Sequence, residues 1–131
     1  MRTLLLLTLL LCLGCADRGT VYTIRGQVIG LPSPSSNPRQ LSLDHEAVDN
    51  FVNREGKVSG MDSMGMPFPV GKRVSLDGIE VGDIVEFDLR VDWEAEDRPV
   101  EIVDVRELPP DTQLDFRLAE PEKHQHHGST H

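Results

Sequence analysis

The sequence predicts an all-β domain that folds as a small barrel. Apolar and polar residues alternate in several short segments of the 131-residue chain, which is the spacing of half-buried strands. Turn-forming residues, mainly glycine, proline, serine and aspartate, separate these segments. We find no amphipathic pattern long enough for a three-turn helix, no internal repeat and no glycine-rich phosphate loop. Several short strands separated by turns are typical of a closed or partly open barrel.

The first half of the domain contains two predicted strands and a long connection. Residues 21–29 are β-rich, and the proline-containing segment 32–38 that follows cannot continue a strand. Residues 40–46 alternate between apolar and polar, which places His45 at or just past the end of the second strand. Residues 47–60 are polar and contain two glycines, so we expect an irregular connection, with a helical turn around residues 46–54.

The third predicted strand contains most of the methionines of the chain. Phe68 and Val70 would anchor it to the core, whereas Pro67 and Pro69 have no N–H group to donate to a neighbouring strand. Proline within a sheet is confined to edge strands and bulges. We therefore expect this segment to be an edge strand or a strand that runs into a bulge.

The last two predicted strands have the clearest patterns. Residues 84–93 place five apolar side chains on one face and charged side chains on the other, and the apolar ones are Val85, Phe87, Leu89, Val91 and Trp93. Residues 100–108 form the fifth strand, which two prolines end. The domain therefore spans residues 20–108, and we expect residues 109–131 to be a mostly disordered tail.

Three of the 4 methionines, Met61, Met64 and Met66, fall within six positions. Thioether sulfur is a soft, uncharged donor that favours Cu(I) or Ag(I) over Zn(II), Mg(II) or Ca(II). In an extended segment residues i and i+2 point to the same face, so Met64 and Met66 would present two sulfurs side by side. Methionine also fills irregular gaps in protein cores, and core filling is the alternative interpretation.

The N-terminal residues indicate export. Arg2 precedes an apolar run that is too short to span a bilayer, and Leu13-Gly14-Cys15 resembles a bacterial lipobox. Residues 1–15 are therefore predicted to be a signal peptide, with Cys15 as the lipidated first residue of the mature protein. An ordinary signal peptide cleaved near Ala16 is the alternative. The residue after the cysteine favours the outer membrane, with the domain facing the periplasm.

Composition limits the possible partners. Both cysteines, Cys12 and Cys15, lie in the signal segment, so the mature domain offers no thiolate ligand and no disulfide. A net charge of −9 argues against nucleic-acid binding, which requires phosphate neutralisation by Lys and Arg.

The sequence shows no pattern of catalytic residues. No two carboxylates lie in an apolar setting that would tune one of them as a general acid. Ser59 or Ser63 could pair with His45 as a nucleophile, but the sequence contains no nucleophile elbow and no oxyanion hole. We therefore expect a protein that is not an enzyme.

Residues 21–108 resemble the small periplasmic copper- and silver-binding proteins of the CusF-like family. His45 matches the family histidine late in the second strand, Met64-Gly65-Met66 matches the paired methionines, and residues 81–87 match the later Gly-Asp-x-Val-x-Phe strand. The Met-x-x-Met-x-Met-Pro-Phe run from Met61 resembles a copper-binding subgroup. The resemblance implies a five-stranded OB-type barrel and a Cu(I) or Ag(I) site formed by His45, Met61, Met64 and Met66. Met61 stands where the family has its capping tryptophan, and the connection between His45 and Met64 is longer than in compact members.

The C-terminal tail contains a second candidate metal site. Short histidine-rich tracts bind Cu(II), Zn(II) or Ni(II), and here the histidines are His124, His126, His127 and His131. The alternative is a solvated end that binds metal weakly and without selectivity. An expression tag would also place histidines there, although these do not form a plain run.

Taken together, the sequence predicts a Cu(I)-binding, and Ag(I)-binding, protein of the bacterial envelope. It would act as a metallochaperone or metal buffer that serves a copper-efflux pump or an oxidase-assembly factor, with its only membrane contact through a lipid anchor. The alternative is an acidic OB-like adaptor for protein–protein interaction, in which the methionines fill the core and no metal is bound.

Overall fold

The computed structural model describes residues 18–121, and the predicted signal peptide, Cys15 and the four tail histidines lie outside this range. The strands are β1 (Thr20–Gly30), β2 (Gln40–His45), β3 (Met64–Pro69), β4 (Ile84–Val91) and β5 (Val100–Glu107). Residues 18–121 contain no helix, so the all-β prediction is confirmed. No helix in this range is long and apolar enough to cross a membrane.

The five strands form a closed barrel. They pair antiparallel in the order β3-β2-β1-β4-β5. The two end strands meet where Val70 pairs parallel with Ile102, and the Gly71 N–H donates to the Ile102 carbonyl at 2.9 Å. Strands β1, β2 and β3 form a meander, β4 pairs with β1, and a parallel contact between Val70, just after β3, and β5 closes the barrel. This is the connectivity of the OB fold. The predicted edge strand β3 is therefore an end strand of the ladder that β5 partly covers.

The barrel interior is built by the alternation that the sequence predicts. Every second residue of β4 is buried, from Val85 to Val91. The inner faces of the other strands contribute the remaining large buried side chains, among which Phe68 and Phe87 pack with ring centroids 5.4 Å apart. Trp93 is partly buried against this core, as expected for a residue at a barrel end.

The connection between β2 and β3 corrects one prediction. Residues 46–63, here called the arm, form an irregular β-hairpin and contain no helical turn. Val48 and Met61 exchange two backbone hydrogen bonds of 2.8 Å, and Val52 pairs with Val58. The Val52 N–H donates to the Tyr22 hydroxyl at 3.0 Å, so contacts with the barrel override the local helical spacing of the apolar residues.

The structure describes the first part of the predicted tail. Residues 109–121 follow a defined path that hydrogen-bonds to the arm, and residues 122–131 lie outside the described range. Side-chain carboxylates accept hydrogen bonds from the backbone amides of this first part, as Asp62 does from Ala119 at 2.7 Å. Hydrogen bonds of this kind produce no periodic spacing of apolar residues, so the sequence does not predict them.

Candidate metal site

His45 occupies an unusual position for a polar residue. It is the last residue of β2, and its side chain is fully buried. Within residues 18–121 it is the one buried residue with an ionisable side chain besides Tyr22, whose hydroxyl accepts a hydrogen bond from the Val52 N–H. Such groups are normally kept inside a protein only where every polar atom has a partner. The surroundings of its two ring nitrogens therefore bear directly on its role.

The two ring nitrogens of His45 have different environments. Nδ1 lies 2.7 Å from the backbone carbonyl of Glu46. Because a carbonyl oxygen can only accept, Nδ1 carries a proton, and Nε2 is the nitrogen that presents a lone pair when the ring is neutral. Nε2 is buried and has no hydrogen-bond partner within the described chain. An imidazole whose other N–H is fixed by a carbonyl is the usual arrangement of a metal-ligating histidine.

The Glu46 side chain is engaged elsewhere. Its carboxylate accepts two hydrogen bonds from the Arg25 guanidinium, at 2.7 and 2.9 Å. These contacts raise the pKa of Arg25 above its ordinary value, and the pair neutralises both charges. The partner of the His45 Nδ1 is therefore the main-chain carbonyl of Glu46 and not its carboxylate.

The β2–β3 register brings two methionines to the face that contains His45. His45 lies directly opposite Met64, and Leu43 lies opposite Met66. Directly opposed residues share a face, with Cβ atoms about 4.5–5.5 Å apart, so both methionines lie on the sheet face that His45 occupies. The imidazole lies edge-on to Phe68, with ring centroids 5.5 Å apart. Met64 and Phe68, the residues next to His45, lie on either side of Met66 along the same face of β3. Met66 therefore lies close to the imidazole as well.

Exposure differs between the two methionines. Met64 is 50% exposed, whereas Met66 is partly buried against the core. The three residues therefore lie at the mouth of the barrel, with the buried imidazole on its inner side and the half-exposed Met64 on its outer side.

Met61 occupies a different position from the other predicted ligands. It lies on the arm opposite Val48, three residue pairs beyond the pair formed by His45 and Met64. At about 3.3 Å per residue, its backbone is about 10 Å along the ribbon from Met64. Its side chain packs partly buried against the core. The structure thus groups His45, Met64 and Met66 and places Met61 beside that group.

Gly26 is a site residue that the sequence reasoning missed. It lies on the inner face of β1 and pairs with His45. A Cβ atom built at this position would lie 2.8 Å from the Asp44 carbonyl oxygen and 3.2 Å from the His45 Cα. The close approach of β1 and β2 behind the imidazole therefore requires glycine. A glycine inside a strong strand pattern is the signal that identifies such an approach.

The donor set defines the chemistry available at this mouth. A neutral imidazole and two thioethers are uncharged, soft or borderline donors that suit Cu(I) and Ag(I). Neither thioether has to lose a proton to bind. In residues 18–121, no three His, Cys, Asp or Glu side chains cluster so that they would hold a metal ion.

Comparison with known proteins gives structural likenesses only. No protein-family model matches the sequence, and no curated protein matches it significantly. Silver-bound CusF aligns at 17% identity over 68% of this chain and 99% of that chain, with a TM-score of 0.48. Apo CusF from Escherichia coli aligns at 16% identity over 72% and 94% of the two chains, with a TM-score of 0.48. A Cu(II)-bound tryptophan-to-alanine variant of CusF, also from Escherichia coli, aligns at 16% identity over 68% and 92%, with a TM-score of 0.43. At these values the alignments transfer neither a ligand nor a function to this chain.

Proposed function

We propose that this protein binds Cu(I), and also Ag(I), as cargo at the barrel mouth. The observation that carries the proposal is the buried Nε2 lone pair of His45, which has no partner in the described chain and lies across from Met64. A buried acceptor without a partner costs about 1–3 kcal/mol, and a bound cation would remove that cost. Met64 and Met66 supply the two thioethers, and a soft d10 ion is satisfied by three such donors.

Met61 would be an additional ligand or a cover of the metal site, because it lies beside the other three residues. From its place on the arm it would supply a third thioether or cover the mouth once the ion is bound. The position of its side chain against the core is compatible with a supporting role that is weaker than that of Met64 or Met66.

The biological role follows from the exposure of the ligands. A half-exposed Met64 lets an incoming carrier or chelator attack the ion before His45 releases it, which permits transfer by stepwise ligand exchange. We therefore propose a metallochaperone or buffer without enzymatic activity. It would serve a copper-efflux pump or an oxidase-assembly factor in the cell envelope. Lipidation of Cys15 would hold it at the outer membrane, and His124, His126, His127 and His131 would form a weaker Cu(II) or Zn(II) site.

Titration of the apo protein with Cu(I) against a chromophoric chelator tests this function. The starting protein is a full-length variant in which the four tail histidines are alanine, so that only the barrel binds. We expect one tight equivalent, which Met64→Leu with Met66→Leu removes. Leucine conserves the volume of methionine, so the double variant should keep its fold, as checked by circular dichroism. Unchanged binding in the double variant would favour the alternative of an acidic adaptor with core-filling methionines.

A further inference from the structure

The C-terminal segment makes a set of contacts that barrel formation does not require. Residues 115–121, here called the clasp, run along the arm. The Ser63 N–H donates to the Arg117 carbonyl at 2.9 Å, and the Arg117 N–H donates to the Ser63 hydroxyl at 2.9 Å. The Ala119 N–H donates to Asp62 at 2.7 Å, and the Asp115 N–H donates to Glu46 at 2.7 Å. The Arg117 guanidinium binds both carboxylate oxygens of Asp49 at 2.8 Å.

These contacts fall beside the proposed ligands. Glu46 follows His45, and its carbonyl holds the imidazole. Asp62 and Ser63 are the two residues between Met61 and Met64. Asp49 follows Val48, which pairs with Met61. The clasp thus contacts the two residues between Met61 and Met64, and it also contacts Glu46 and Asp49 in the segment that follows His45.

The arm depends on outside support for its shape. Two isolated bridges, Val48 with Met61 and Val52 with Val58, are its ladder pairs, and residues 62 and 63 lie outside any strand. A short hairpin with so few pairs is marginally stable on its own. The clasp supplies additional hydrogen bonds where the arm runs into β3, which is where Met64 must be fixed opposite His45.

Polar contacts hold the clasp in place. Phe116 is 48% exposed and Leu118 is 74% exposed, so burial of its large apolar side chains contributes little. The Arg117 guanidinium and the Glu120 amide lower the pKa of Asp49 to about 2, as expected for a carboxylate with charge-assisted hydrogen bonds. Removing these bonds should therefore release the clasp and leave the barrel core intact.

We infer that the clasp positions the methionines for metal binding, so that metal affinity depends on Arg117, a residue that touches no metal. The inference rests on the proposed function and extends it. If the arm adopts the binding-competent conformation only in a fraction of the molecules, the apparent affinity for the metal ion is lowered in proportion to that fraction. By reciprocity, a bound ion must also strengthen the attachment of the clasp.

The test uses full-length protein and Ag(I), which is not oxidised during the measurement, with the four tail histidines replaced by alanine. We expect Arg117→Gln to weaken Ag(I) affinity by about 10-fold, in the range found when groups that orient metal ligands are removed. Arg117→Lys, which keeps the charge but loses the two-pronged contact, should recover part of the affinity. The matched control is Arg106→Gln, since the Arg106 guanidinium binds Glu86, Asp88 and Asp104 on β4 and β5 and, within the described residues, donates no hydrogen bond to the arm or the clasp.

Hydrogen exchange gives a readout that loss of stability alone would not produce. Ag(I) should slow exchange of the Ala119 and Glu120 amides in the unsubstituted clasp, and in Arg106→Gln, but not in Arg117→Gln. Equal Ag(I) affinities for the parent and Arg117→Gln would overturn the inference and leave the proposed function standing. A parent protein that binds no Ag(I) would overturn both. If Arg117→Gln does not fold, Ser63→Ala, which removes the acceptor for the Arg117 amide, decides by the same affinity criterion.

Discussion

Replacing His45 with leucine should stabilise the metal-free protein while abolishing metal binding. Leucine has a similar volume to histidine and suits a fully buried position. The change eliminates the Nε2 acceptor, whose unpartnered burial costs about 1–3 kcal/mol. It also removes the 2.7 Å hydrogen bond to the Glu46 carbonyl, at a cost of about 1 kcal/mol. The net expectation is a gain of about 0–2 kcal/mol, whereas most core substitutions destabilise.

Urea and thermal unfolding in the presence of a chelator measure this difference. For a domain of this size, 1 kcal/mol corresponds to a shift in Tm of about 4–8 °C. Adding Ag(I) at about 100 times its dissociation constant should stabilise the parent by about 2.7 kcal/mol and leave His45→Leu unchanged. Leu41→Ala, which empties a fully buried apolar position, is the control and should lose about 2–5 kcal/mol. A metal-free His45→Leu protein that is less stable than the parent would contradict this prediction, because the burial of Nε2 would then not be destabilising.

Three further predictions follow from single contacts. Met61→Leu should weaken Ag(I) affinity less than Met64→Leu does in the same competition assay, because Met61 lies three residue pairs from His45. Gly26→Ala should lower the free energy of unfolding by about 1–3 kcal/mol, because its Cβ would overlap the Asp44 carbonyl oxygen; an effect no larger than that of Gly30→Ala would argue against this contact. The pKa of Asp49 is lowered from 3.8 to about 2, so its contribution to stability is complete above pH 3.8 and is lost as the pH falls through about 2. The protection of the Glu120 amide, measured as its exchange rate relative to an unstructured amide at the same pH, should therefore fall near pH 2, and a loss of protection already at pH 5 would contradict the assignment.

Strand alternation was sufficient to predict the barrel. β4 buries every second residue as its sequence indicates, and His45 ends β2 where the pattern placed it. The sequence spacing also predicts that Met64 and Met66 share a face, because side chains two residues apart in an extended strand point to the same side. These predictions succeed because they depend on local periodicity that packing against one core then reinforces.

The arm and the clasp could not be predicted in the same way. Val48, Phe51 and Val52 have a spacing that a helix and an irregular hairpin share, and contacts with Tyr22 and Trp93 decide between them. Arg117 finds Asp49 across 68 positions of sequence, and no pattern indicates which carboxylate it will meet. The tautomer of His45 likewise depends on a carbonyl whose direction only the folded backbone fixes.

X-ray absorption spectroscopy of the Cu(I)-loaded protein, with the tail histidines replaced by alanine, identifies the copper ligands directly. We expect the copper to be coordinated by one nitrogen and at least two sulfurs, from His45, Met64 and Met66. In His45→Leu the nitrogen should disappear from any residual copper signal. A shell of oxygen and nitrogen scatterers without sulfur, or an identical spectrum in His45→Leu, would contradict the assignment of this barrel mouth as a soft-metal site.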